Sequence, residues 1–96
     1  MKKIIENIKN LADNTGVKVF VVGGYLRDLL LKKQSSDLDI AVSLNAEEFA
    51  KKLARKINGK FIILDEENKN YRIAAFNGGV LKYIDVSLMG CKTIYD

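Results

Sequence analysis

The run Val17 to Val22 (VKVFVV), followed at once by Gly23-Gly24 and then by leucines at helical spacing, constrains this chain most. The run is rich in β-branched residues and too short for a helix, so it reads as a buried strand. From Tyr25 to Leu31, the apolar residues Leu26, Leu29 and Leu30 fall at i, i+3 and i+4, which predicts a helix. Strand, glycine turn and helix thus follow one another without a linker. The polar loop Lys32 to Ser36 leads into a second strand, Asp37 to Ser43 (DLDIAVS).

The remaining segments extend this alternation. Ile4, Ile5, Ile8, Leu11 and Ala12 predict an amphipathic helix over Lys2 to Asn14, stopped by Gly16. Asn45, with Glu48 three residues on, predicts a capping box for a helix burying Phe49, Ala50, Leu53 and Ile57 and ended by Gly59. Phe61 to Leu64 reads as a strand, and Asp65 to Asn70 as a solvated turn. Tyr71 to Phe76 and Val80 to Leu88 read as strands around the hairpin signal Asn77-Gly78-Gly79. Thr93 could begin another helix, but Gly90 to Asp96 is too short to fold independently. The order α-β-α-β-α-β-β-β predicts an α/β (α+β) domain: a five-stranded mixed sheet with helices mainly on one face. With 96 residues, the expectation is a single domain, and 48% hydrophobic with 29% charged residues argues against disorder.

The absence of histidine excludes Ser-His-Asp and Cys-His catalysis, His-ligated zinc and imidazole acid-base work. Chemistry must then rest on carboxylates, Lys/Arg, hydroxyls, backbone amides or a bound metal. Cys91 is the only cysteine, so neither an intrachain disulfide nor a cysteine zinc site can form. A formal charge of +4 is compatible with a phosphate-bearing partner, though many small domains are as basic and bind none. No apolar run approaches the roughly 20 residues of a membrane span. No membrane partner is expected, and the expected compartment is the cytoplasm.

Gly23-Gly24 lets a phosphate approach the backbone where a helix start presents its N–H groups. A plain strand-to-helix turn would use the same residues. Arg27 lies on the first turn of that helix, either aimed at the same anion or solvated on the surface. Asp37 and Asp39, at i and i+2 of a strand, face the same way. Like charges so close repel unless a cation lies between them, and magnesium takes such carboxylates together with substrate phosphates. A solvent-facing strand start is the alternative. Asp85 sits in mid-strand, where aspartate is disfavoured, unless that strand is an edge. An Asn77-Gly78 loop would set Arg72 opposite Tyr83, diagonal to Asp85 on the same face; a three-residue loop would flip that register.

Together, Val21-Val22-Gly23-Gly24-Tyr25-Leu26-Arg27-Asp28 and Asp37-Leu38-Asp39-Ile40 resemble the signature of the tRNA nucleotidyltransferase/poly(A) polymerase family. This family contains the class II CCA-adding enzymes and belongs to the polymerase-beta-like nucleotidyltransferases. Leu64-Asp65-Glu66-Glu67, Tyr71-Arg72-Ile73 and Ile84-Asp85-Val86 extend the likeness to that family's head domain over nearly the whole chain. The resemblance implies that Asp37, Asp39 and Asp85 are catalytic and hold Mg2+, and that Gly23, Gly24, Arg27 and Arg72 bind the nucleotide. It implies ATP and CTP as substrates and an RNA 3′ end, that of tRNA, as acceptor. The 3′-hydroxyl would attack the α-phosphate and pyrophosphate would leave, with bound metal lowering the hydroxyl's pKa and steadying the leaving phosphates. The family's arginine-rich segment, neck, body and tail would lie beyond Asp96, so residues 1–96 are expected to be a head domain cut short of them. Three functions follow: a magnesium-dependent nucleotidyltransferase core, a Mg-NTP-binding module without turnover, or a small structural domain. The combined spacing argues against the third.

Overall fold

Hydrophobic periodicity becomes architecture in a computed structural model, which describes residues 2–22 and 37–90. Helix α1 (Lys2–Thr15) turns Ile4, Ile8 and Leu11 inward. Gly16 ends it as expected: its φ of 72° is left-handed, and its N–H donates to the Ala12 carbonyl at 2.9 Å. Strand β1 (Val19–Val22) begins two residues later than the sequence suggests. Val17 is buried among the core residues, while Lys18 meets Ser43 through backbone and side-chain hydrogen bonds outside the ladder. The helix expected over Tyr25 to Leu31, the Lys32 to Ser36 loop and the helix start at Thr93 lie outside the described residues.

Strand β2 (Asp37–Val42) leads to helix α2 (Ala46–Lys56). Asn45 precedes α2 but forms no capping box, because its backbone is left-handed (φ 54°, ψ 47°) and its side chain makes no capping bond. A side-chain cap needs the extended backbone that turns its oxygen onto the first free amides. Ala46, Phe49, Ala50, Leu53 and Ala54 are buried, whereas Ile57, expected in this stripe, is only partly so. The helix closes in a Schellman arrangement at Asn58, whose φ is 56°, with the Gly59 N–H donating to the Ala54 carbonyl at 2.8 Å. Asn58 therefore supplies the left-handed residue expected of Gly59.

Gly59 has a different duty. A Cβ there would lie 2.5 Å from Ile73 Cγ2 and 3.1 Å from the Ala74 carbonyl oxygen, so the chain leaving α2 passes tightly over the sheet. Gly59→Ala should destabilise the fold by about 1–3 kcal/mol through overpacking. A thermal melt would show it, and an unchanged Tm would mean that Ile73 yields freely.

Strands β3 (Lys60–Asp65), β4 (Asn70–Asn77) and β5 (Val80–Leu88) complete a five-stranded sheet of order β1-β2-β5-β4-β3. Only β2 and β5 pair in parallel; the other neighbours are antiparallel, so the sheet is mixed as expected. The β4–β5 loop is Gly78-Gly79, with φ of 65° and 83°, rather than Asn77-Gly78. These angles suit the turn whose twist matches a hairpin. One sheet face, carrying Leu38, Ile40, Val42, Tyr71, Ile73, Ile84 and Val86, forms a single core with α1 and α2. In the β3–β4 turn, Asp65 accepts hydrogen bonds from Asn68 Nδ2 (2.7 Å) and N (3.2 Å). These bonds, the side-chain one foremost, hold its carboxyl below the ordinary value. Asn70, expected in a solvated turn, is buried.

Candidate active site

Strand alternation leaves the face opposite the helices with the polar positions of β2, β4 and β5. The pairing lines up Val22, Asp39, Asp85, Arg72 and Ile62 as neighbours across all five strands. Asp39 and Asp85 are direct partners because β2 and β5 run in parallel, which places two residues distant in sequence side by side. Asp37 occupies the position two residues earlier in β2, in register with Tyr83. β1 ends at Val22, beside Asp39.

The hairpin register sets Arg72 directly opposite Asp85 instead of diagonal to it. The one-residue displacement of the loop slides the pairing by two positions, so the face is preserved while the partner changes. Arg72 Nε donates to Asp85 Oδ1 at 2.7 Å and Nη2 to Oδ2 at 3.1 Å, a two-pronged, charge-assisted contact. The Asp85 residue is 8% exposed. A carboxylate this buried needs such a partner, since an uncompensated charge there would carry a large desolvation penalty. Mid-strand Asp85 is thus accounted for by the guanidinium it pairs with. Each of its oxygens accepts from Arg72 and keeps a lone pair, so the carboxylate is held in place and neutralised beside Asp39.

Tyr83 was not singled out by sequence reasoning. Its ring lies under the Arg72 guanidinium, with Cζ 4.9 Å from the centroid. The signal was available: Tyr83 is two residues before Asp85 and so shares its face. Ser87, buried two residues after Asp85, donates its hydroxyl to the Ile40 carbonyl at 3.4 Å and ties β5 to β2. Gly23, Gly24 and Arg27 lie outside the described residues. Among the described residues, no group of three His, Cys, Asp or Glu is arranged to hold a metal, and no helix is long and apolar enough to cross a membrane.

A family model described as the poly A polymerase head domain matches residues 19–88. A CC-adding tRNA nucleotidyltransferase of Geobacter sulfurreducens is 39% identical over 66 residues, covering 69% of this chain and 15% of that protein. Among solved structures, an apo CCA-adding enzyme superposes with a TM-score of 0.78 at 29% identity, covering 97% of this chain and 21% of the other. A tRNA nucleotidyltransferase complexed with a primer tRNA and an incoming ATP analogue superposes with a TM-score of 0.68 at 28% identity, covering 84% and 22%. The chain therefore spans about a fifth or less of the length of these proteins.

Proposed function

Because the chain belongs to the family of poly A polymerase head domains, we propose that it is the nucleotide-handling head of a tRNA nucleotidyltransferase. In this reading it takes NMP from ATP or CTP and transfers it to the 3′ end of tRNA. The 3′-hydroxyl gives up its proton to solvent, its oxygen forms a bond to the α-phosphorus, the bond from that phosphorus to the β-phosphate bridging oxygen breaks, and pyrophosphate leaves. The observation that carries the reading is the row in which Asp39 of the Asp37-Leu38-Asp39 strand lies directly beside Asp85. The relative complexed with primer tRNA and an ATP analogue supports the choice of both substrates.

Magnesium fits the donor chemistry here: hard carboxylate oxygens, in a chain without histidine, on a strand that β5 supports from one side and β1 from the other. Asp37 and Asp39 would hold it, with Asp85 beside Asp39 as the third carboxylate. When bound, it supplies Lewis acidity that lowers the pKa of the attacking hydroxyl and offsets charge on the phosphates. The chain's own residues place the reactants. Asp39 fixes the metal side of the nucleotide against a strand whose opposite face is packed into the core. Gly23-Gly24 lets the triphosphate approach the backbone, and Arg27 offers a guanidinium to it.

The test is a magnesium-dependent titration of the chain with ATP and CTP, in wild type and in Asp37→Ala/Asp39→Ala. The double variant should lose metal-dependent binding by about tenfold or more, a difference of about 1.4 kcal/mol or more. Equal affinity in both proteins would sink the proposal. Separately, Arg27→Ala should weaken triphosphate binding by about tenfold, since a charge-assisted hydrogen bond is worth about 1.5–3 kcal/mol. Inorganic triphosphate competition would measure it, and an unaltered constant would return Arg27 to the role of a surface residue.

A further inference from the structure

We propose that Phe76 and Leu81, side by side near the tip of the β4–β5 hairpin, form a stacking platform for the single-stranded 3′ end of the acceptor RNA, an inference that rests on the reading of tRNA as the acceptor. Phe76 and Leu81 are direct cross-strand partners. Alternation puts Phe76 on the face of Arg72, and Leu81 on the face of Tyr83 and Asp85. That face also carries Asp37 and Asp39, which are in register with Tyr83 and Asp85. Phe76 is 73% exposed and Leu81 41%. Val80, which alternation turns toward the helices, is 54% exposed as well, so the hairpin reaches past the core. The Phe76 ring contributes little to folding, because it buries little of its surface.

Position and chemistry select RNA as the occupant. The Ala74–Tyr83 pair continues the row of Asp37, and Phe76–Leu81 is the next pair on that face. Two residues of strand span about 7 Å and neighbouring strands lie about 5 Å apart, so Leu81 and Phe76 stand about 8 and 12 Å from Asp37 across the sheet. Stacked nucleotides rise about 3.4 Å each, so an RNA whose 3′-hydroxyl lies at the acids brings the bases about two to three nucleotides in from that end over the platform. β1 flanks β2 on one side, ends at Val22 beside Asp39 and is followed in sequence by Gly23-Gly24; β5 and β4 lie on the other side. Triphosphate and acceptor then approach the acids from opposite flanks, as in-line displacement requires of attacking and leaving oxygens. An exposed aromatic ring accepts any unpaired base, since every base presents a π-face. The formal charge of +4 favours a polyanion over a neutral partner.

The experiment measures, by fluorescence anisotropy, binding of the 96-residue chain to a single-stranded heptaribonucleotide of mixed sequence labelled with fluorescein at its 5′ end. Phe76→Ala should weaken binding by about fivefold or more. Phe76→Leu should lose as much, because it keeps apolar area without a π-face, whereas Phe76→Trp should bind within about twofold of wild type or tighter. An oligonucleotide made abasic at its 3′-proximal positions should bind wild type and Phe76→Ala alike. Circular dichroism melts of the variants should fall within a few degrees of wild type, as expected of an exposed position. Mg-ATP affinity should be equal in wild type and Phe76→Ala; a matching loss there would assign the ring to the incoming base and overturn the proposal. A wild-type chain that binds no oligonucleotide overturns it too, as does an affinity unchanged in Phe76→Ala. If that variant instead turns a dimer into a monomer in sedimentation, with oligonucleotide affinity unaltered, the hairpin is a contact between copies and the platform is excluded. Failure of the wild type to bind Mg-ATP would sink the nucleotidyltransferase reading itself, and the platform with it.

Discussion

The 96-residue chain, given ATP and CTP with magnesium, should extend a tRNA lacking its 3′ end at about 10⁻⁵ or less of the rate of a full-length relative. Holding two reactants in line is worth about 7–11 kcal/mol, or effective molarities of about 10⁵–10⁸ M. On the proposed reading, the site offers carboxylates for the nucleotide side of the reaction. The family resemblance assigns the grip on RNA to the neck, body and tail. The chain corresponds to 15% of the Geobacter sulfurreducens relative's length, so most of the surface that could orient RNA there has no counterpart in these residues. Nucleotide binding should survive, because it needs only the head. Single-turnover primer extension, with each nucleotide alone and with both, measures the rate. Ordered addition of C, C and A at a relative's rate would place RNA selection inside the head.

Leu38→Ala should remove about 3–5 kcal/mol of stability and lower the Tm by about 15 °C or more. Leu38 is fully buried on the core face of β2, between Asp37 and Asp39. Its neighbours in the core include Ile40, Val42, Ile84 and Val86, all at most 1% exposed, so the cavity has little chance to refill by small movements. A domain of this size has only about 5–15 kcal/mol in total. The truncation should therefore loosen the strand that carries the aspartates and weaken metal binding, although it touches neither carboxylate. A melt followed by circular dichroism, with Mn2+ binding measured well below the transition, separates the two effects. A Tm within a few degrees of wild type would mean that β2 contributes little to cooperative folding.

Much of this was legible because the relevant signals are local. The β-branched runs, the helical stripe of α2 and the glycine hairpin each report on a few adjacent residues, and the strands fall within two residues of their expected positions. What escaped was relational. The parallel pairing that seats Asp39 beside Asp85 joins distant segments, and periodicity carries no information about which strands become neighbours. The partner of Asp85 depended on which two of Asn77, Gly78 and Gly79 form the loop, a choice that shifts the ladder without changing hydrophobic faces. Asn45 and Gly59 failed in a third way. Each was assigned the usual duty of its residue type, while the backbone gave the left-handed helix end to Asn58 and used Gly59 for close approach. Tyr83 was missed because aromatic residues are usually read as packing, whereas here the ring supports a guanidinium.

The parallel β2–β5 pairing also governs when the site comes into being. The β4–β5 ladder closes a two-residue loop and can form early, as can the β3–β4 hairpin. The junction between β2 and β5 joins residues such as Ile40 and Ser87, 47 positions apart, and waits on closure of a long loop. Contacts of that separation are slow to form and dominate the folding time of small mixed domains. Arg72 can therefore neutralise Asp85 within the hairpin before Asp39 arrives, so the last strand docks against a pair of opposite charges rather than a bare carboxylate. Order of assembly and charge balance are then linked: Asp39 and Asp85 become neighbours only after the charge of Asp85 has been offset.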